Sequence, residues 1–180
     1  MRVVELFAGV GGFRIGLEGS PNNKPKRPLK VIWSNQWEPT TKKQHAAEIY
    51  ANIWSLKPSD DDEVVLGKEE IFVNKNISEI DSKDIPEHDL LCGGFPCQDY
   101  SVAKTSNKAT GISGKKGVLW WEIHRIIKDK TPDFVLLENV DRLLKSPTSQ
   151  RGRDFAVMLT SLDELGLSLI HISEPTRQEA

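Results

Sequence analysis

The chain has 180 residues, 38% of them hydrophobic and 28% charged, a balance that fits one packed domain and excludes both a charge-driven disordered chain and a membrane-embedded one. Its 24 basic and 26 acidic residues leave a net charge of −2, so the molecule as a whole lacks the basic character of a nucleic-acid coat protein, although local distribution matters more than the sum. The two cysteines, Cys92 and Cys97, are too few for a disulfide framework or a four-cysteine zinc site. With no apolar run of spanning length and no signal-peptide pattern at Met1-Arg2-Val3-Val4-Glu5, the expected compartment is the cytoplasm.

Apolar runs of strand length alternate with amphipathic stretches, which predicts an α/β fold with a mostly parallel sheet and helices on both faces. Val3 to Phe7 reads as a buried strand, then Ala8-Gly9-Val10-Gly11-Gly12 as a turn, then a helix carrying Phe13, Ile15 and Leu17. Lys24, Lys26, Arg27 and Lys30 form a basic cluster that reads as a solvated connection. Leu29 to Ser34 is the second strand, and Thr40 to Ile53 is a helix with Ala46, Ala47, Ile49 and Tyr50 at helical spacing and Thr40 as its cap. Leu56 to Asn74, with Pro58, the acidic run Asp60 to Glu63, and Gly67, has no sustained period and reads as a loop insertion. Asp89 to Gly93 is a compact buried strand, and Ser101 to Lys116 a long polar loop. Leu119 to Lys130 is amphipathic, Asp133 to Leu137 another buried strand, and Phe155 to Leu165 the last helix.

Chemistry concentrates where the strands end. Gly9-x-Gly11-Gly12-x-x-x-Gly16 follows a strand and opens a helix, so its backbone can approach a nucleotide-like cofactor or simply make a tight turn. It departs from the dinucleotide fingerprint, whose third glycine falls where Arg14 stands. Gln36 and Trp37 end the second strand, where such folds place a polar group on a ribose and an aromatic ring on adenine; Trp37 serves equally well as a core lid. Gly93-Gly94-Phe95-Pro96-Cys97-Gln98 presents the Cys97 thiol on a rigid turn, placed as a nucleophile, whereas Cys92 inside the strand reads as a small core residue. Glu138-Asn139-Val140 brings a carboxyl group to the same sheet edge, where an acid beside a thiol assists covalent addition.

Taken together, Phe7-Ala8-Gly9-Val10-Gly11-Gly12, Pro96-Cys97-Gln98 and Glu138-Asn139-Val140 resemble, in order and spacing, the DNA cytosine-5 methyltransferases from Val3 to about Gly166. The resemblance implies a Rossmann-like S-adenosyl-L-methionine-dependent methyltransferase fold and transfer of a methyl group to carbon 5 of a cytosine flipped out of double-stranded DNA, within a restriction–modification system with a cognate endonuclease. It implies that Cys97 adds to carbon 6 while Glu138 holds the ring nitrogen, and that Asn139 orients Pro96 and Cys97. Phe7, Ala8, Gly9, Gly11, Gly12, Gln36, Trp37, Asn76 and Ile77 would line the cofactor, and Pro96, Gln98, Ser101 and the polar loop would meet the target. Gln36 stands where the family has an acid for the ribose hydroxyls, which brings Glu38 into consideration, and Asn76-Ile77 stands where an Asp-Ile pair is usual.

The family's later Arg-rich motif, target-recognition region and C-terminal helix do not appear, and Gln150-Arg151-Gly152-Arg153 reads as the loop before a helix. The expectation is therefore a monomeric catalytic domain over residues 1–166, incomplete at its C-terminus. Leu167 to Arg177 matches what a transposon-end sequencing adaptor encodes when read in frame, so residues 167–180 are expected to be a non-native tail. Rival readings are an RNA cytosine-5 methyltransferase, a nicotinamide- or flavin-binding domain in which Cys97 and Glu138 are incidental, and a non-catalytic module that binds cofactor or partner.

Overall fold

A computed structural model describes residues 1–22, 28–39, 41–58, 64–67, 69–95, 119–140, 143–144 and 152–170. Among these residues seven strands form one sheet: β1 (Arg2–Leu6), β2 (Lys30–Asn35), β3 (Lys57–Pro58), β4 (Val64–Leu66), β5 (Ile71–Val73), β6 (Leu90–Gly94) and β7 (Phe134–Glu138). Their spatial order is β3-β4-β5-β2-β1-β6-β7. The five strands from β5 to β7 run parallel, and β3 and β4 add an antiparallel margin beside β5. Among the described residues four α-helices accompany them, α1 (Gly12–Glu18), α2 (His45–Ile53), α3 (Leu119–Lys130) and α4 (Arg153–Asp163), with two 3₁₀ turns at Ile77–Glu79 and Ser82–Asp84.

Parallel strands need covered faces, and the alternation of side chains along β1 divides the core accordingly. Val4 and Leu6 join Trp33, Leu91, Trp120, Ile123, Ile126, Met158 and Leu162 on the face covered by α3 and α4. Val3 packs with Val31, Leu90 and Cys92 on the opposite face, where Phe13 and Leu17 of α1 lie against them. Beside that group, Ala47, Tyr50 and Trp54 from α2 and its end close on Ala8, Leu56 and Phe72. The α/β layering expected from the sequence is thus present, with helices on both sides.

Several boundaries differ from expectation for identifiable reasons. Residues 56–74 are not a plain loop insertion, because β3, β4 and β5 lie there and β5 joins the parallel sheet through Trp33, Ser34 and Asn35. Its three residues are too few to display a period, yet Phe72 is buried and stacks on Tyr50 with ring centroids 4.8 Å apart. Helix α2 starts at His45 and not at Thr40, which lies outside the described residues. The Gln44 side chain holds the preceding segment in a loop, accepting from the Glu38 N–H at 2.7 Å and donating to the Glu38 and Thr41 carbonyls at 2.9 and 3.0 Å. In α1 the deeply buried residues are Arg14 and Glu18, not an apolar stripe, and Ile15 is exposed. Strand β1 stops at Leu6, since Phe7 takes a left-handed φ of 54°.

Helix α3 has the expected limits, whereas β7 is displaced by one residue to Phe134–Glu138 and is not the buried strand expected, since it lies at the sheet margin with Phe134 and Leu136 exposed on one face. Gly152 caps the start of α4 with φ 81°, in keeping with its reading as part of a helix-start loop. Leu167 and Leu169 rest against the main core, while residues 171–180 lie outside the described region.

Candidate functional site

The parallel strands deliver all their C-terminal ends to one edge of the sheet. Because β1 lies between β2 and β6, successive connections leave it in opposite directions, and this reversal opens a crevice where α/β sheets bind ligands. The turn after β1 and the segment after β6 flank that crevice.

The glycine turn is fastened to the end of β2. The Ala8 N–H donates to the Asn35 carbonyl at 2.9 Å, and the Gly9 N–H donates to Gln36 Oε1 at 2.8 Å. Gly9 and Gly11 have φ values of 56° and 92°, a region costly for residues bearing a Cβ. Space around the turn is unequal. A Cβ on Gly9 or Gly12 would meet nothing within 4 Å, whereas one on Gly11 would lie 2.8 Å from Trp54 Nε1 and 3.2 Å from the Tyr50 ring. Gly9 and Gly12 therefore keep one side of the turn open to a ligand, and Gly11 lets the other side press against α2 and its end.

At the end of β2, Gln36 is buried and spent on the glycine turn, while the neighbouring Trp37 is 36% exposed. Trp37 is thus no core lid, and its ring is accessible to a planar partner. Asn35 Nδ2 donates to the Val73 and Lys75 carbonyls at 3.0 and 2.8 Å, joining the β2 and β5 ends. Asn76 then caps the first 3₁₀ turn, its Oδ1 accepting from the Ser78 N–H at 3.2 Å, and Ile77 is buried. This turn has a support that the sequence did not reveal. Arg125 on α3 donates to the Ile77 and Ile80 carbonyls at 3.2 and 3.1 Å and to Ser82 Oγ at 2.6 Å. The amphipathic pattern of α3 marks its buried face, but not which loop its arginine reaches.

Strands β6 and β7 bring the end of the Gly93-Gly94-Phe95 run beside Glu138 and Asn139. Their register pairs Gly94 with Glu138, and a Cβ on Gly94 would approach Glu138 Oε2 to 2.9 Å. Asn139 Nδ2 donates to the Phe95 carbonyl at 2.9 Å, so the Glu-Asn-Val segment holds the residue that precedes Pro96. Pro96, Cys97, Gln98, Ser101 and the polar loop to Lys116 lie outside the described residues. Cys92 is fully buried, and burial pushes its thiol well above the ordinary range, as befits a packing residue. Glu5, also fully buried, is pushed up to about 7 by burial.

A doubly wound, mostly parallel sheet with a glycine turn after its first strand defines a Rossmann-like α/β fold. The solved structure of the Entamoeba histolytica methyltransferase EhMeth shares it, with a TM-score of 0.53 at 18% identity over 91% of this chain and 43% of that one. The sequence matches the C-5 cytosine-specific DNA methylases over residues 1–172, and the chain belongs to that family. Among curated relatives, it is 50% identical to the type II methyltransferase M.Sau3AI of Staphylococcus aureus over 171 residues, which are 94% of this chain and 37% of that protein. It is 32% identical to the type II methyltransferase M.HhaI of Haemophilus parahaemolyticus over 168 residues, 93% of this chain and 41% of that protein. The chain therefore spans about two fifths of the length of these relatives. The RNA-directed and nicotinamide-binding alternatives are not favoured by these matches.

Proposed function

We propose that the protein transfers a methyl group from S-adenosyl-L-methionine to carbon 5 of cytosine in double-stranded DNA, as the modification methylase of a type II restriction–modification system with a cognate endonuclease. The observation that supports this best is the pairing of Gly94 with Glu138 and the bond from Asn139 to the Phe95 carbonyl, which set the Glu-Asn-Val segment against the residues that lead into Pro96. The open side of the glycine turn and the exposed Trp37 ring suit an adenosyl cofactor. In this reading Phe7, Ala8, Gly9, Gly11 and Gly12 hold its methionine end, Trp37 stacks on adenine, and Asn76 and Ile77 line the adenine site. Gln36 holds the turn and Glu38 beside it meets the ribose. When bound, S-adenosyl-L-methionine supplies an electrophilic methyl group.

The chain's own part follows from acid–base and nucleophilic chemistry. A cytosine extruded from the duplex presents carbon 6 to Cys97, whose thiolate adds there, while Glu138 holds the ring nitrogen N3 and stabilises the protonated ring. Carbon 5 would then be the nucleophile for the methyl group that the bound cofactor would supply, with S-adenosyl-L-homocysteine as the leaving group; a base would remove the proton from carbon 5, and elimination would restore the Cys97 thiolate. Asn139 fixes the backbone before Pro96, and Gln98, Ser101 and the polar loop close on the base and its phosphates.

Trapping tests the scheme, because a fluorine at carbon 5 cannot depart as a proton does. The chain, and the chain joined to the remaining portion of M.Sau3AI, are incubated with S-adenosyl-L-methionine and 5-fluorocytosine-containing duplex DNA. A denaturation-resistant adduct that disappears in Cys97→Ala is the expected result in the joined protein. Its absence from both would overturn the mechanism.

The same reading makes residues 1–166 the catalytic unit, monomeric and cytoplasmic, and residues 167–180 an appended tail. Genomic DNA continuing past codon 166 with this same peptide would overturn the tail assignment. Among the described residues no helix is long and apolar enough to cross a membrane.

A further inference from the structure

Behind the glycine turn lies a buried polar group that the proposed chemistry does not use. Glu5 of β1 and Tyr50 of α2 are fully buried, and Arg14 and Glu18 of α1 are 3% and 9% exposed. Tyr50 Oη donates to Glu5 Oε2 at 3.0 Å, and the Arg14 N–H reaches Glu5 Oε1 at 3.3 Å. The Arg14 guanidinium donates to Tyr50 Oη at 3.2 Å and to Glu18 at 3.3 Å, and it also contacts Glu70 just before β5. Its Cζ lies 4.0 Å from the centroid of the Trp54 ring. Arg14, through its backbone N–H and its guanidinium, thus joins β1, α1, α2 and the approach to β5.

The same two rings that receive this cation form the wall behind Gly11. A Cβ there would strike Trp54 and Tyr50, so the turn rests directly on them. We propose that Arg14 and Glu5, acting through Tyr50 and Trp54, are positioning residues for the glycine turn and so set the affinity of the site for its cofactor. The turn is clamped from two directions. Asn35 and Gln36 hold its backbone from β2, and the Arg14 group fixes the aromatic wall behind it. The affinity clause rests on the function proposed above, whereas the clamp itself does not.

The clamp carries a pH signature. Glu5 faces Arg14 and Glu18 from α1, Tyr50 from α2 and Cys92 from β6, with Glu70 beyond Arg14. Burial raises Glu5 to about 7 from an ordinary 4.5, so a turn that opens and hydrates this carboxyl is favoured as pH rises. Between about pH 6 and about pH 8 the open population should grow by about tenfold.

Amide hydrogen exchange, corrected for intrinsic rates, tests the clamp without any ligand. Tyr50→Phe keeps the ring and deletes the hydroxyl, so it serves where Arg14→Met fails to fold. Either variant should speed exchange at Ala8, Gly9 and Gly11 by about tenfold while Leu91 and Cys92 in the central sheet keep their rates. Arg14→Lys should recover part of the protection, and Glu5→Gln should flatten the pH dependence. Wild-type exchange at the turn in folded Tyr50→Phe, or an unchanged pH profile in Glu5→Gln, would overturn the proposal. Titration with S-adenosylhomocysteine separates the two readings. Binding by the wild type that weakens by about tenfold in Tyr50→Phe supports both, and undiminished binding in the variant overturns the affinity clause. Failure of both the wild-type chain and the chain joined to the remaining portion of M.Sau3AI to bind counts against the proposed function and removes the affinity clause with it, while the exchange result still decides the clamp.

Discussion

Gly94 and Gly93 are neighbours in one strand, yet substitutions at them should have different consequences. An added Cβ at Gly94 meets Glu138 Oε2 at 2.9 Å, the movable end of a side chain, so Gly94→Ala displaces the carboxyl group with little effect on folding. Methyl transfer should fall by about tenfold or more, with stability changed by less than about 1 kcal/mol. The Cβ of Gly93→Ala meets the Leu6 carbonyl at 2.7 Å, a backbone atom of the paired strand β1, and should cost about 1–3 kcal/mol. Thermal unfolding and single-turnover methylation of the two variants, measured side by side, check this division; equal losses in both quantities would contradict it. The residues proposed to carry chemistry were legible because their motifs are local in sequence. Their supports were not. Nothing near Arg125 says that it reaches the carbonyls of Ile77 and Ile80, and nothing near Gln36 says that it turns inward to Gly9.

At the scale of elements, legibility followed length. Helix α3 and strand β7 carry enough turns or enough apolar residues to declare themselves, whereas the three residues of β5 do not. The late start of α2 has a different cause, since the Gln44 side chain supplies turn hydrogen bonds that compete with helix at Glu38 and Thr41. The turn between β1 and α1 is the element on which most else depends. Gly11→Ala combines a φ of 92° with contact on Trp54 and Tyr50, so it should destabilise by about 2 kcal/mol or more and weaken cofactor binding as well. Gly12→Ala has ordinary φ and open space, and should leave stability within about 1 kcal/mol while intruding on the ligand side. Calorimetric unfolding with and without S-adenosylhomocysteine separates these effects. A Gly11→Ala protein as stable as the wild type would show that the turn does not rest on α2 as described.

For the whole molecule, two buried groups pull stability in opposite directions with pH. Glu5 holds its proton in the fold up to about 7 but releases it near 4.5 when unfolded, so its contribution is present at low pH and is lost as pH rises across that window. The shift corresponds to about 3 kcal/mol. His88 is buried and held below its ordinary 6.5 by desolvation, so its contribution is present above that value and is lost as pH falls through it. Melting temperatures of Glu5→Gln should therefore decline less than those of the wild type between about pH 5 and about pH 8. A parallel decline in both would remove Glu5 from the account. The pairing of β6 with β7 has one more consequence, for how this molecule can vary. Gly93 faces Leu137 and Gly94 faces Glu138, and adjacent strand residues point to opposite sides of a sheet. Losing or gaining one residue within β7 would turn Glu138 away from the crevice and put Leu137 in its place. Lengthening the connection between the two strands would leave that pairing untouched. Lineages of this protein should accumulate insertions freely in the connection and almost never inside Phe134–Glu138, where a single codon decides which side of the sheet receives the acid.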